Sequence, residues 1–255
     1  MRVRILGCSG GIGQGLRTSS ILVDGDILID AGTGVGDLDL ADLSRVRHVF
    51  ITHSHLDHIV SLPMLVDTIF DQLVGEPLKV YANSQTIGAL RKHIFNDVIW
   101  PDFCSLPSAE NPVLEFVEIQ AGDVVEIGAR SMRAIAVEHA VPTLGFCVAN
   151  GAKVFAFSGD TTTNKTLWPV LNSYERLDVL VIEVSFPDRL ADLARESGHY
   201  TPSTFAADLL NLKHTPDVWV TAMKPGEEEL IYAEVMAALP DRGVQCLQSG
   251  TVFEL

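Results

Sequence analysis

The chain has 255 residues, of which 47% are hydrophobic, and a formal net charge of −15 at pH 7. This length is enough for one large domain or two modest domains with a buried core, while the acidic balance argues against a broad nucleic-acid-binding surface. No apolar run is long enough to span a bilayer and the N-terminal apolar stretch is too short for a signal peptide, so we expect a cytoplasmic protein.

Strands and helices alternate along the chain without a linker or repeat, so residues 1–255 are predicted to form a single domain. The first half contains predicted strands at Val3–Leu6, Ser20–Val23, Ile27–Ile29 and His48–Thr52, and predicted helices at His58–Leu73 and Ser84–Phe95. The second half contains strands between Leu114 and Phe157 and at Asp178–Ile182 and Asp217–Thr221, and helices at Pro202–Leu210 and Gly226–Leu239. Two sets of strands with accompanying helices predict a sheet-on-sheet core with helices outside.

The stretch GCSGGIG, residues 7–13, follows the first predicted strand and superficially resembles a dinucleotide-binding loop. Its glycine spacing is not GxGxxG, and strands follow it where a nucleotide-binding loop requires a helix. We therefore interpret it as a tight turn at which two backbone segments approach closely.

The stretch ITHSHLDHIV, residues 51–60, concentrates three imidazoles and a carboxylate in an HxHxDH motif. His53 and His55 lie two residues apart after a predicted strand, so in extended backbone their side chains point the same way. Asp57 and His58 follow, where the next helix is predicted to begin. Imidazole and carboxylate groups are zinc ligands, and helix capping would explain only the aspartate. The motif therefore predicts a metal centre.

The HxHxDH motif resembles that of the metallo-β-lactamase fold superfamily, and the resemblance extends over nearly the whole chain. It implies an α+β fold, the αββα four-layer sandwich, with one or two divalent metal ions at a sheet edge. Zinc is the expected metal, with manganese and iron as alternatives. The remaining family ligands correspond to His139 in AVEHAVPT and Asp160 in FAFSGDTT. The resemblance implies that His53, His55 and His139 hold one metal ion, that Asp57 and His58 hold the other, and that Asp160 bridges them.

The family's last ligand is a histidine that commonly lies in a stretch like THxKP, and here it has no counterpart. WVTAMKPG matches this stretch at Thr221, Lys224 and Pro225, but Ala222 stands where the histidine is expected. Alanine cannot bind a metal ion. The second metal ion is therefore expected to be weakly held, to be completed by another group such as His214, or to be absent.

The stretches IEVSFPDRL and ESGHYTPSTF resemble the phosphodiesterase branch of the superfamily, which includes tRNase Z. In that branch a glutamate orients a histidine that protonates the leaving oxygen, and Glu183 and His199 occupy these positions. Asp57 is assigned to the catalytic residues as well as to the metal ligands. The alternative for His199 is an ordinary surface histidine in a capped loop.

The stretch LRKHIFNDVIWPDF, residues 90–103, is similar to class II cyclic-nucleotide phosphodiesterases, as is HSHLDHIVSLP. This similarity implies that His93, Trp100 and Phe103 lie near the site, where aromatic rings can stack on a base. The alternative is a helix packed on the core, with Trp100 buried.

Together these resemblances imply a metal-dependent phosphodiesterase that hydrolyses a 3′,5′-cyclic nucleotide to the 5′-monophosphate through a metal-bound hydroxide. The expected partner is a small anionic phosphodiester; no membrane or nucleic-acid partner is expected, and a homodimer is left open. The alternatives are a tRNase-Z-like RNA-processing hydrolase and a metal-binding family member that has lost catalysis through Ala222.

Overall fold

The central strands bury side chains on both of their faces, because each strand lies between a layer of helices and a second sheet. On one strand Val49 packs beneath helices, whereas the next residue, Phe50, packs between the two sheets. Leu180 and Val181 alternate in the same way on a strand of the other sheet. This alternation with a period of two builds the helix–sheet–sheet–helix layering of an αββα sandwich.

The computed structural model describes residues 1–255. The strands are β1 (Arg2–Gly7), β2 (Ser20–Val23), β3 (Ile27–Ile29), β4 (His48–Phe50), β5 (Leu78–Ala82), β6 (Pro107–Ser108), β7 (Asn111–Pro112), β8 (Leu114–Glu118), β9 (Val124–Ile127), β10 (Arg130–Val137), β11 (Thr143–Ala149), β12 (Val154–Phe157), β13 (Val179–Glu183), β14 (Asp217–Thr221), β15 (Gln245–Cys246) and β16 (Val252–Glu254). The α-helices are α1 (Leu40–Leu43), α2 (Leu56–Ile59), α3 (Leu62–Thr68), α4 (Phe70–Leu73), α5 (Ser84–His93), α6 (Leu167–Leu171), α7 (Ala191–Ser197), α8 (Pro202–Leu209) and α9 (Glu228–Ala238). Two short 3-10 helices cover Thr33–Asp37 and Asp188–Leu190.

Two seven-stranded mixed sheets face each other, with strand orders β16-β1-β2-β3-β4-β5-β8 and β15-β14-β13-β12-β11-β10-β9. Aromatic side chains join them in the central layer, where the ring of Phe50 lies 5.5 Å from that of Phe146 in an edge-on contact. Such pairs add about 0.5–1.5 kcal/mol beyond the burial of their area. None of the helices is both long enough and apolar enough to span a lipid bilayer.

The predicted helix over His58–Leu73 is wrong as a single element, because the structure forms α2, α3 and α4 there. Pro63 lies in the first turn of α3, where its missing N–H is not needed. A continuous helix would have placed that proline in the interior. The strand predicted over His48–Thr52 ends at Phe50, so the residues that follow are free to form the loop that carries the HxHxDH motif.

The carboxyl ends of several strands meet at one edge of the sandwich. β3, β4 and β5 run parallel in the first sheet, and β12, β13 and β14 run parallel in the second. The loops after β4 and β12 contact each other there, since Gly159 lies against Thr52. The amide of Leu144, in the neighbouring β11, also donates to the Thr52 carbonyl. Polar residues directly after these strands are therefore brought together.

Candidate metal centre

Three histidines from two loops form a compact group at this edge. The ligand atoms of His53, His55 and His139 all lie within 4.8 Å of one another, and His55 Nδ1 is 3.2 Å from His139 Nε2. His53 Nε2 is buried and has no hydrogen-bond partner. An imidazole nitrogen left without a partner costs free energy, whereas a metal ion shared with the other two would satisfy it. The donors present therefore fit a transition metal ion.

A second group, formed by Asp57, His58 and Asp160, lies beside the first and approaches it at His53. Asp160 Oδ2 is 3.4 Å from His58 Nε2 and 3.9 Å from His53 Nε2, while Asp57 Oδ2 is 3.7 Å from His58 Nε2. Burial alone would raise the pKa of Asp160, but the neighbouring His58 holds it well below its usual range. The carboxylate that resemblance assigns as the bridge thus lies between the two groups and is ionised.

Asp30 orients His58 of the second group, and the sequence analysis did not identify it. It follows β3, is fully buried, and accepts a 2.6 Å hydrogen bond from His58 Nδ1 and a 2.8 Å bond from the Thr52 amide. A carboxylate on the far nitrogen of a ligating histidine fixes the tautomer of the ring. The available signal was an aspartate directly after a buried strand, ILID, that neighbours the strand leading into the HxHxDH motif.

The backbone of Gly198 orients His139. His139 Nδ1 donates to the Gly198 carbonyl at 2.8 Å, which leaves Nε2 facing His55. Gly198 ends α7 with a left-handed φ of +74°, and a Cβ there would lie 2.7 Å from the Ala140 nitrogen. Only glycine satisfies both the dihedral angle and the close approach.

Glu183 and His199 form a buried pair next to the histidines. His199 Nδ1 donates to Glu183 Oε1 at 2.7 Å, the Thr161 amide donates to the same oxygen at 3.1 Å, and the His199 ring lies 4.8 Å from that of His139. Burial alone would lower the pKa of His199, but the Glu183 carboxylate and its hydrogen bond raise it above the ordinary value. Burial is the main reason why the pKa of Glu183 is raised. The alternative of an ordinary surface histidine is wrong, because His199 is 8% exposed.

Ala222 follows β14 and lines the cavity that also contains Asp57, His58 and Asp160. Its φ of +61° is left-handed. Gly10 permits this geometry, because a Cβ on Gly10 would lie 2.2 Å from the Ala222 carbonyl oxygen. The close backbone approach expected of GCSGGIG is therefore present, and it supports the loop that carries Ala222.

His214 is not available to complete the second group. It lies in the loop that precedes β14, whereas Ala222 lies just beyond the other end of that strand. A five-residue strand separates the two positions by about 16 Å at the usual rise per residue. The alternative in which His214 fills the position of the missing histidine is therefore wrong.

The three predicted base-stacking residues do not join the cluster of metal-ligating side chains. Phe103 is 2% exposed and packs in the core beneath the helices, so its prediction as a stacking residue is wrong. Trp100 is half-buried against the same core, and His93 is exposed on the last turn of α5. The alternative of core packing describes this segment, because Phe95 and Phe103 belong to the core beneath the helices and Trp100 packs against that core.

The profile of the beta-lactamase superfamily domain matches residues 26–218. The chain belongs to this superfamily. A probable 3′,5′-cyclic-nucleotide phosphodiesterase of Yersinia pestis is 24% identical, over 82% of the present chain and 71% of the relative. A ribonuclease Z of Bradyrhizobium is 26% identical, over 71% of the present chain and 74% of the relative.

Among solved structures, unliganded yeast PDE1 superposes with a TM-score of 0.82 at 17% sequence identity, covering 100% of the present chain and 99% of that chain. This likeness confirms the metallo-β-lactamase fold. Membership of the superfamily and the hydrolases among its relatives confirm the predicted hydrolase class. They leave the substrate open, because cyclic-nucleotide phosphodiesterases and ribonucleases are matched at similar identity.

Proposed function

We propose that the chain is a metal-dependent phosphodiesterase that hydrolyses a 3′,5′-cyclic nucleotide to the 5′-monophosphate. The observation that carries this proposal is the Glu183–His199 pair, 2.7 Å between Nδ1 and Oε1, beside the histidine cluster. A poor leaving group such as a sugar alkoxide needs a proton as the P–O bond breaks, and a histidine held by a carboxylate supplies one.

The contacts of His199 support its proposed role as the donor of that proton. Its Nδ1 is bonded to Glu183, which leaves Nε2 without a partner in this pair. One ligand atom each of His199, His139 and Asp160 lies within 4.8 Å of the others. The buried carboxylate favours the protonated ring, which is the form that a general acid requires. Protonation of the departing 3′ oxygen would leave the phosphate on the 5′ oxygen.

One metal ion would be held by His53, His55 and His139, close to Asp160. Asp57, His58 and Asp160 are the only protein donors that a second ion would have. Zinc is the proposed metal because imidazole nitrogen dominates the donor set. A bound divalent ion supplies Lewis acidity, which stabilises charge on a phosphoryl group and eases deprotonation of water. The chain's own contribution is to fix these donors through Asp30 and Gly198.

A small cyclic nucleotide is favoured over a large RNA by charge and shape. The net charge of −15 opposes an extended polyanion. No segment between consecutive helices and strands is long enough to form a protruding arm; the longest runs from Ile94 to Leu106. RNA processing remains the second candidate because ribonuclease Z is among the relatives.

The test is hydrolysis of cyclic AMP, cyclic GMP and a precursor tRNA by zinc-loaded protein, with products separated by chromatography. We expect a 5′-monophosphate from a cyclic nucleotide and no tRNA cleavage. Cleavage of tRNA alone would favour the second candidate. Bound metal without hydrolysis of any phosphodiester would indicate that catalysis has been lost.

A further inference from the structure

The cavity beside Ala222 contains a positively charged side chain in addition to its acidic residues. The wall of this small cleft includes Asp57, Asp160, Ala222 and Lys224. Lys224 is the only lysine or arginine on that wall. In a chain with 33 acidic and 18 basic residues, a cation facing this centre is a specific feature of the site.

Lys224 is held in place but is not neutralised. Its Nζ donates to the Gly10 carbonyl at 3.0 Å and lies 5.6 Å from the centre of the Phe186 ring. Its backbone amide donates to the Ser185 carbonyl at 3.1 Å, which anchors the segment after Ala222. No carboxylate forms a salt bridge with it. An ammonium group has three donors, and only one has a protein acceptor, so two remain for a ligand.

The charges of the cavity explain what such a ligand would be. Asp57 and Asp160 would repel a phosphodiester anion unless positive charge offsets them. In a complete two-metal centre the second ion supplies that charge. In this chain the second ion would have only Asp57, His58 and Asp160 as protein donors, because Ala222 stands in place of the expected histidine.

We propose that Lys224 replaces the second metal ion as the cation that binds the substrate phosphate, so that the centre works with one tightly held metal ion and one lysine. This inference rests on the proposed phosphodiesterase function and names the group that holds the anion. Lysine suits the role because its ammonium is a compact point charge with rotatable donors. Gly10 and Phe186 keep it at the cavity wall.

The test is calorimetric titration of inorganic phosphate into protein loaded with one equivalent of zinc. Lys224→Met should weaken phosphate binding about ten- to a hundredfold, the usual range for a hydrogen bond to a charged group. Lys224→Arg keeps the charge and should stay within about fivefold of wild type. Lys213→Met removes one positive charge from an exposed position and should bind phosphate as wild type does. All variants should bind the first zinc equally and melt within a few degrees of wild type.

Different outcomes separate this inference from the proposed function. Phosphate binding by Lys224→Met at wild-type affinity, or tight binding of two zinc ions by wild type, overturns the lysine assignment. If wild type hydrolyses a cyclic nucleotide and Lys224→Met leaves the KM unchanged, the phosphodiesterase stands and the lysine assignment fails. If phosphate binding depends on Lys224 but no phosphodiester is hydrolysed, the anion site stands and the proposed function fails.

Discussion

His199 carries the proton-transfer part of the proposed chemistry, and a single substitution tests it. We expect His199→Ala to lower turnover of a cyclic nucleotide about 10²–10⁴-fold, the usual range for loss of a general acid. Bis-p-nitrophenyl phosphate should lose much less, because its leaving group hardly needs a proton. Steady-state kinetics on both substrates measure the difference. His93→Ala, on the exposed last turn of α5, is the matched control and should leave both rates unchanged. An equal loss on both substrates would remove His199 from the role of general acid.

Ala222 marks the point where this chain departs from its family, and restoring the imidazole tests that departure. Its φ of +61° is a conformation that histidine adopts more readily than alanine, so Ala222→His is compatible with the backbone. We expect the zinc stoichiometry to rise toward two under limiting metal, with affinity at the second position higher by about 10–100-fold. Calorimetric titration of zinc into metal-stripped proteins measures this. Equal binding of two zinc ions by both proteins would show that Ala222 is not the vacant ligand position.

At the scale of elements, the end of α7 determines the position of His139. Gly198→Ala combines a left-handed φ with a Cβ 2.7 Å from the Ala140 nitrogen, so we expect lower stability by about 1–3 kcal/mol and weaker zinc binding as the His139 loop moves. Gly128 has a similar φ of +60° and open space around it, so Gly128→Ala is a matched control for strain alone. Urea unfolding and zinc titration compare the two. Wild-type zinc affinity in Gly198→Ala would contradict the positioning role of this turn.

The elements that the sequence predicted well are those in which local composition and burial agree. Ser20–Val23, Ile27–Ile29 and Asp217–Thr221 match the observed strands to the residue, because β-branched and apolar residues fill them and turn residues border them. Short helices were harder to predict. α6 and α7 went unpredicted, since five and seven residues give too few turns for a helical period to emerge, and their formation depends on tertiary packing.

At the scale of the whole molecule, an ion pair connects the two sheets at the edge of the sandwich. Arg130, at the start of β10, donates to both carboxylate oxygens of Asp26 at 2.5 and 2.7 Å; Asp26 lies in the turn between β2 and β3. Burial would raise the pKa of Asp26, but Arg130 lowers it below the ordinary value. The ion pair therefore stabilises the fold above the unfolded-state pKa of about 4, and this contribution is lost as pH falls through the lower folded-state pKa.

We expect Asp26→Asn to lower the free energy of unfolding by about 1 kcal/mol at pH 7, a value discounted because a third of the Asp26 side chain is exposed. The difference from wild type should shrink below about pH 4. Urea unfolding at pH 7 and pH 3 measures it, with the exposed Asp241→Asn as control. A difference that stays constant with pH would mean that the charge of Asp26 contributes nothing.

The side chains that could bind metal ions were predictable from the sequence, but the residues that orient them were not. HxHxDH concentrates four candidate ligands within six residues, so local sequence reveals them. Asp30 lies 28 residues from His58, and only the parallel pairing of β3 with β4 brings it close. Phe103 was predicted to lie near the substrate but packs in the core. The sequence alone does not distinguish an aromatic residue that contacts a ligand from one that is buried in the core.

The central claim is that the histidine cluster binds a metal ion on which phosphodiester hydrolysis depends. The most direct measurement is zinc content per chain by mass spectrometry, taken alongside cyclic-nucleotide hydrolysis, for wild type and His53→Ala before and after chelation. His53 is fully buried and its Nε2 has no protein partner, so its loss should empty the first position. We predict at least one zinc ion per wild-type chain, hydrolysis that disappears on chelation and returns with zinc, and neither metal nor hydrolysis in His53→Ala. Hydrolysis that persists in chelated wild type, or full zinc occupancy in His53→Ala, would contradict the account.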